Sequence, residues 1–323
     1  MIRGYRYGAD RLEPVADPLD AVDGIVWYDL VDVTADEEAA LERILGIDVP
    51  TRAEAAEIEI TSRLYVEDGA CFITVPLPGG FEKDDVVFEP VTFILTGRAL
   101  ITVRYHEPLS FTRFAARVQR SAAGCDTAVG VLLSLLDAVV DRLADILEQV
   151  GANVERISGR IFRRKGAPRL RGNAFEEVLD EIGANDDLAS NLRESLVIVE
   201  RGVNFLAQYL QERNIAKNER THLKMISRDA HYLAEHTTFL SQKTTFLLDA
   251  TLGLINIEQT GIINIFSVAA VIFLPPTVIA SIYGMNFEHM PELGWRFGYP
   301  LSLVLMVLSA VLPFLFFKYK KWL

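Results

Sequence analysis

Two kinds of hydrophobic spacing divide this chain. Up to about residue 120 the apolar positions come in short runs rich in Val, Ile, Phe and Tyr, at residues 25–30, 63–67, 70–76, 86–95 and 99–105. Runs of this length and character predict strands. Asp68-Gly69 joins two of them at hairpin spacing, and Thr96-Gly97-Arg98 joins another two. Thr34, followed three residues on by Glu37, predicts the start of a helix whose Leu41, Ile44 and Leu45 share one face. From about Asp126 the period becomes helical. Val131, Leu132, Leu135, Leu136, Val139, Leu143, Ile146, Leu147 and Val150 recur at steps of three and four. That helix is expected to run past Ile157 and Ile161 to Arg163-Arg164-Lys165, where Gly166-Ala167-Pro168 stops it. A second helix is predicted over residues 173–211. A third starts near Lys217 and meets no proline before Pro275, with Met225, Leu233, Leu240, Phe246, Leu247 and Leu254 as its apolar stripe.

The end of the chain has a third pattern. No charged residue occurs from Gln259 to Phe287 or from Phe297 to Phe317. A helix crossing a membrane needs roughly 20 mostly apolar residues, so both runs qualify. Two buried helices of a soluble core are the alternative, but such helices rarely stay uncharged for so long. The simplest expectation is one helix, on the order of 100 Å long, that continues from residue 217 into the first apolar run. Gly253, Gly261 and the Pro275-Pro276 pair are its candidate hinge points. The opening Met1-Ile2-Arg3-Gly4-Tyr5-Arg6-Tyr7 has no secretory h-region. Lys318, Lys320 and Lys321 follow the second run directly. Both features predict cytoplasmic termini in an inner (plasma) membrane protein that crosses twice.

Charge narrows the partners. The 323 residues carry a net charge of −12, and residues 1–130 alone account for −11. Such a surface does not suit nucleic acid, but it does suit divalent cations. The basic stretch 163–171 opposes a helix dipole and is not read as a nucleic-acid patch. Cys71 and Cys125 have no CxxC partner and are expected to be reduced core thiols. No phosphate-binding loop, Rossmann glycine pattern, HExxH or GxSxG occurs, so no organic cofactor and no enzyme site is expected.

The polar residues of the first run call for an environment other than lipid. Thr260, Ile263, Ser267, Leu274 and Thr277 fall near one face of its helix. Two spans cannot enclose a water path, so this face lines a pore among several copies or glues helices together. The residues alone leave both open. The run ends in Tyr283-Gly284-Met285-Asn286 and leads into Met290-Pro291-Glu292-Leu293. Together with Trp27-Tyr28-Asp29-Leu30, Asn256-Ile257-Glu258-Gln259 and Lys320-Lys321-Trp322-Leu323, this resembles the CorA family of magnesium channels and transporters.

The resemblance implies a homopentameric funnel. An α/β cytosolic domain (1–125) would be followed by a helical hairpin (126–215), a stalk (216–258), a pore-lining first transmembrane helix (259–284), an outer loop (285–299), a second transmembrane helix (300–318) and a basic tail (319–323). It implies that Gly284, Met285 and Asn286 form the selectivity filter, with Asn286 carbonyls meeting hydrated Mg²⁺, and that Co²⁺ and Ni²⁺ also pass. Glu288 and Glu292 would gather cations at the outer mouth, within about a 10 Å screening length. The cytosolic carboxylates that would bind regulatory Mg²⁺ are not identified. Asp84-Asp85, Glu67-Asp68, Glu176-Glu177 and Asp186-Asp187 are candidates. His289 departs from the family pattern, where an aromatic residue is usual, and is a potential ligand for softer metals. A zinc transporter of the ZntB type shares the Gly-Met-Asn, although the loop favours CorA. A membrane-anchored sensor or adaptor that conducts no ion is the reading from another class.

Overall fold

In a computed structural model the chain is described except for residues 21–22, 81–85, 163–171, 212, 214, 287–289 and 321–323, and the side chains of 292 and 293. It divides into two compact units, one formed by residues 1–167 and 179–247, the other by 168–178 and 248–323.

The first unit opens on a seven-stranded mixed sheet. Its strands are β1 (Ile2–Gly8), β2 (Arg11–Val15), β3 (Ile25–Val31), β4 (Leu64–Glu67), β5 (Ala70–Gly79), β6 (Val87–Leu95) and β7 (Leu100–Arg104). They lie in the order β2-β1-β3-β7-β6-β5-β4, and only β3 and β7 pair in parallel. All five strands expected from the sequence are present. Asp68 and Gly69 both take positive φ, 47° and 76°, as a two-residue hairpin turn requires. The N-terminal hairpin of β1 and β2 was not expected. It turns at Ala9 and Asp10, both left-handed, without the glycine that marks most such turns.

One face of the sheet packs Tyr28, Leu30, Phe72, Ile94, Ile101 and Val103 against Leu41 of α1 (Ala35–Leu45). The predicted capping box is formed: Glu37 N–H donates to Thr34 Oγ1 at 3.4 Å, and Thr34 N–H donates to Glu37 Oε2 at 3.0 Å. The amide of Thr34 and the adjacent N-terminal ammonium hold the Glu37 carboxyl below its usual range. Ile44 is a correction. It lies outward at 36% exposure, because its position on the turn points away from the sheet. Two short helices, α2 (Arg52–Ala55) and α3 (Ile60–Arg63), lead into β4.

The other face carries a buried polar cluster beneath α4 (Leu109–Val118). Arg104 donates from Nε to Asp29 Oδ1 at 3.0 Å and from Nη2 to Asp29 Oδ2 at 2.8 Å. Thr102 donates to Asp29 Oδ1, and Trp27 Nε1 donates to Thr102. Tyr5 stacks on Trp27, and Phe111 lies under the Arg104 guanidinium. Burial lowers the Arg104 pKa, but hydrogen bonds and charge from Asp29 and Glu107 outweigh it and hold the pKa above the usual value. The Trp27-Tyr28-Asp29-Leu30 segment thus anchors the fold: its odd positions build this cluster and its even positions the opposite core.

Three long helices follow: α5 (Ala128–Ile161), α6 (Asn173–Gln211) and α7 (Lys217–Tyr283). All nine apolar residues expected to line α5 are buried. On α6, Ile182, Asn185, Ala189, Leu192, Leu196, Val199, Val203, Leu206 and Leu210 are buried at alternating steps of three and four. On α7, Leu223, Ile226, Ala230, Thr237, Leu240, Thr244 and Leu247 continue the same heptad. This spacing keeps one seam facing its neighbours, as in a coiled coil. Met225 and Phe246, expected in the seam, lie outside it at 48% and 59% exposure, since each falls one position before a heptad site. Ser227 donates to Asn204, Ser241 to Asp186 and Arg193 to Thr238, tying α6 to α7, while Lys243 pairs with Glu155 of α5. Residues 163–171, where α5 was expected to end, lie outside the described residues.

Removing one member of the buried pair should be far worse than removing both. Asp29→Ala or Arg104→Ala is expected to destabilise the full-length protein by about 3–5 kcal/mol, because a charge is left buried alone. An apolar replacement of both should lose much less. Thermal unfolding in detergent compares the three variants.

Candidate functional site

The second unit holds the apolar part of α7 and α8 (Gly298–Tyr319). In each helix only 6% of the most apolar 18-residue window is buried within the chain. A core helix of a soluble protein is covered by its own fold, and these two are not. The residue types agree with exposure to lipid: Ile265, Phe266, Phe273, Val304, Val307, Leu312 and Phe316 are all more than half exposed. Aromatic residues crowd both ends of α8. Trp295 and Phe297 make an edge-to-face pair with ring centroids 6.0 Å apart, Tyr299 and Tyr319 are exposed, and Lys320 lies over the Phe316 ring. At about 1.5 Å per residue, α8 matches the roughly 30 Å hydrocarbon thickness. Aromatic and basic residues then fall at the interfaces.

The membrane part of α7 is organised by face. Val268 is buried, and residues 269, 272, 275, 276, 279 and 283 are half-buried along one stripe. On α8 a matching stripe runs through Ser302, Met306, Ser309, Ala310, Pro313 and Phe317. Thr260, Ile263, Ser267, Leu274 and Thr277 lie on the side of α7 roughly opposite its own stripe, at about 100° per residue. All five are exposed, Ile263 at 63% and Leu274 at 62%. Thr260 donates its hydroxyl to the Asn256 carbonyl at 2.8 Å, and Thr277 donates to Phe273 at 2.7 Å. Each hydroxyl proton is thereby held by the helix itself, and the oxygen lone pairs remain on the exposed face.

The helix closes at Tyr283. Gly284 N–H donates to Ala280 at 2.9 Å, and Met285 N–H to Ile282 at 3.3 Å. Gly284 does not adopt a left-handed φ, so the turn itself does not demand glycine. A Cβ there would approach the Ala280 carbonyl oxygen to 3.2 Å, so close approach is the restriction. Met285 is 47% exposed, and Asn286 is exposed with no side-chain hydrogen bond among the described residues. Glu288 and His289 lie outside the described residues. The backbone of Glu292 belongs to a short 3-10 helix, Pro291–Gly294.

Asp68 sits in the β4–β5 turn, Glu176 in the first turn of α6, and Asp186 accepts from Ser241 at 2.9 Å. Asp84 and Asp85 lie outside the described residues. No group of three metal-ligating side chains comes together among the described residues of one chain. A different acidic ridge runs along α5, through Asp137, Asp141 and Asp145. Its four-residue spacing is visible in the sequence and was missed. Burial, then the charges of Asp137 and Asp145, push the Asp141 carboxyl above its usual range. Its side chain is largely exposed, so the effect is modest.

The sign of this shift gives a test. A carboxyl that holds its proton more tightly when folded loses stability as pH rises through the carboxylate range. Asp141→Asn should therefore raise Tm at neutral pH, and the gain should vanish near pH 4. Differential scanning fluorimetry across pH measures it.

The family model described as "CorA-like Mg2+ transporter protein" matches residues 22–320. The magnesium transport protein CorA of Pectobacterium atrosepticum is 33% identical over 324 residues, covering 100% of both chains. That of Salmonella typhimurium is 34% identical over 298 residues, 92% of each. Among solved structures, the CorA magnesium transporter from Methanocaldococcus jannaschii superposes with a TM-score of 0.77 at 19% identity, covering 100% of this chain and 99% of that one. Full-length CmaX gives 0.70 at 14% identity, covering 100% and 98%. The cytoplasmic domain of ZntB from Vibrio parahaemolyticus gives 0.55 at 9% identity, covering 79% of this chain and 97% of that one. At these identities the structural matches show the shared fold alone.

Proposed function

Because this chain belongs to the CorA family of Mg²⁺ transporters, we propose that it carries hydrated Mg²⁺ along an axis surrounded by five copies of α7, with Asn286 at the outer mouth. Mg²⁺ transport follows from full-length relatives at 33–34% identity. The path, its selectivity and its gating are the proposal. One observation carries it. The face of α7 opposite the half-buried stripe holds hydroxyls and bulky apolar groups, is exposed along its length, and leads to a neutral amide with no partner among the described residues.

The chemistry of each level follows from its residue type. Mg²⁺ releases water reluctantly and is usually held through it. A ring of Asn286 carbonyls accepts hydrogen bonds from that water shell without the tight grip of carboxylates, and conduction needs sites that release. Thr277, Ser267 and Thr260 offer further oxygen rings, while Leu274 and Ile263 narrow the path and gate it by dewetting. A divalent ion moving inward gains about 4.6 kcal/mol per 100 mV, so no nucleotide is needed to drive it. Glu288 and Glu292 raise the local cation concentration outside. Both termini face the cytoplasm, where Lys318 lies in the last turn of α8 and Lys320 follows it. Mg²⁺ bridging carboxylates of adjacent cytosolic domains holds the path shut, and its loss lets like charges separate the subunits. The first unit supplies that acidic surface, the second unit residues 259–284 as pore helix, and residues 285–299 the outer loop.

Asn286→Ala, in full-length protein in liposomes, is expected to cut Mg²⁺ uptake at least about tenfold. Hexaammine cobalt, which mimics the hydrated ion, should block the unaltered protein. Unchanged uptake in the variant would leave the spans as anchors of a sensor. Preference for Zn²⁺ over Mg²⁺ would instead place the chain functionally with the zinc transporters.

A further inference from the structure

The first unit carries a cleft that ion transport leaves unused. It lies between the end of α6 and the start of α7, with a volume of about 530 Å³, in the size range of small-molecule sites. Among its lining residues Val203 and Leu223 are buried, and Ala207 and Ile215 are partly covered. One rim is cationic. Arg220, Lys224 and Arg228 follow one another at steps of four, on one face of α7, and all three are exposed. Arg220 and Lys224 have no ion-pair partner among the described residues, and Arg228 meets only its sequence neighbour Asp229, at 3.7 Å. Glu200 is the acid that lines the cleft, and His231 Nδ1 holds it at 3.2 Å. Asn204 accepts from Ser227 at 3.0 Å, and its amide N–H groups have no partner among the described residues.

Unpaired cations in a row are out of place in a chain of net charge −12. From Arg220 to Arg228 the rim spans about 12 Å. A lone carboxylate reaches one of these groups, so an anion that uses all three bears several charges in line. The apolar side chains below call for an uncharged body on the same molecule. A polyphosphate joined to an aromatic ring has both parts. A lipid headgroup is too far away: His231 lies roughly 40 Å of helix before Gln259, where the uncharged run begins.

We propose that this cleft binds a nucleoside triphosphate as its magnesium complex. The phosphates lie against Arg220, Lys224 and Arg228, the ring covers Val203, Ala207 and Leu223, and Asn204 donates to the base. The grip comes from side chains without a glycine-rich loop, and no bond is broken. The nucleotide is a signal and not a fuel. Mg²⁺ is commonly held by phosphates and its own waters, so the ligand brings the ion that the family transports. It also bridges α6 to α7, the helix that runs on to Tyr283.

Isothermal titration calorimetry of full-length protein in detergent, with Mg²⁺ in excess, tests this with three probes: ATP, inorganic triphosphate and adenosine. ATP should saturate at one per chain, with triphosphate at least about tenfold weaker and adenosine weaker still. Lys224→Glu combined with Arg228→Glu should weaken ATP at least about tenfold and leave the nucleotide-free Tm unchanged. Ala207→Trp fills the apolar side, so it should bring ATP down toward triphosphate and leave triphosphate binding as it was. No saturable ATP binding, triphosphate as tight as ATP, or an unchanged ATP affinity in the double variant overturns the proposal. Native mass spectrometry without nucleotide supplies a further check. A change of assembly mass in the double variant would make the rim a contact with a neighbouring copy, and that also overturns it. The readout is binding, so its failure is separate from failure of the transport path proposed above.

Discussion

The chain cannot satisfy its own membrane segment, and the rest of its architecture follows from that. Hydrocarbon offers no hydrogen bonds, so polar groups at that depth must be paired or wet. The membrane part of α7 carries Thr260, Asn264, Ser267 and Thr277, while α8 covers only one stripe of it. Thr260 and Thr277 use helix carbonyls for their protons. The Asn264 side chain forms no hydrogen bond among the described residues. A single copy would expose it to lipid, and in the proposed assembly several copies around water would remove the conflict. The proposed path and the proposed assembly would then be two consequences of one unmet requirement.

The first unit solves a different problem with the opposite device. It buries an ion pair outright, with Asp29 and Arg104 at 2% and 1% exposure. Pairing alone does not repay such desolvation. Every acceptor around Arg104 is engaged: Asp29 twice, Glu107 and the His106 carbonyl. Thr102 and Trp27 complete the far side. Because the parallel β3–β7 pair aligns Asp29 with Thr102 and Val31 with Arg104, the cluster is available only in this register. A one-residue slip of β3 would turn Asp29 onto the apolar face with Ile101 and leave Arg104 buried without its partner. The pair therefore acts on register as much as on stability.

How much was legible in the sequence depended on whether the signal was local. The Asp68-Gly69 turn, the Thr34–Glu37 cap and the α5 periodicity are decided within a few residues, and each is found as expected. The turn at Ala9-Asp10 takes the same left-handed geometry without glycine, so β1 and β2 went unseen. The α7 stripe was read one position off at Met225 and Phe246, because Thr237 and Thr244 fill its seam and a polar residue does not announce burial. Each of those hydroxyls bonds to the carbonyl four residues back, which is how it tolerates burial. At the site, exposure of the five-residue face is now visible, but its role belongs to the assembly and no single chain displays it. The Asn286 position was picked out by its motif, whereas the stripe of α7 that packs inward needed three dimensions.

The absence of charge along α7 in the membrane bears on mechanism. A carboxylate lining the path would bind a divalent ion strongly in a site of low dielectric, and release would limit the rate. Along the proposed path, neutral oxygens and apolar rings would reverse that balance: the ion would keep its water, which would touch carbonyls and hydroxyls and slip past Leu274 and Ile263 only when the path is wide enough to be wet. Selectivity would then rest on the size and cohesion of the hydrated ion rather than on stripping it. Closure would need no plug, since narrowing an apolar ring until water leaves is sufficient.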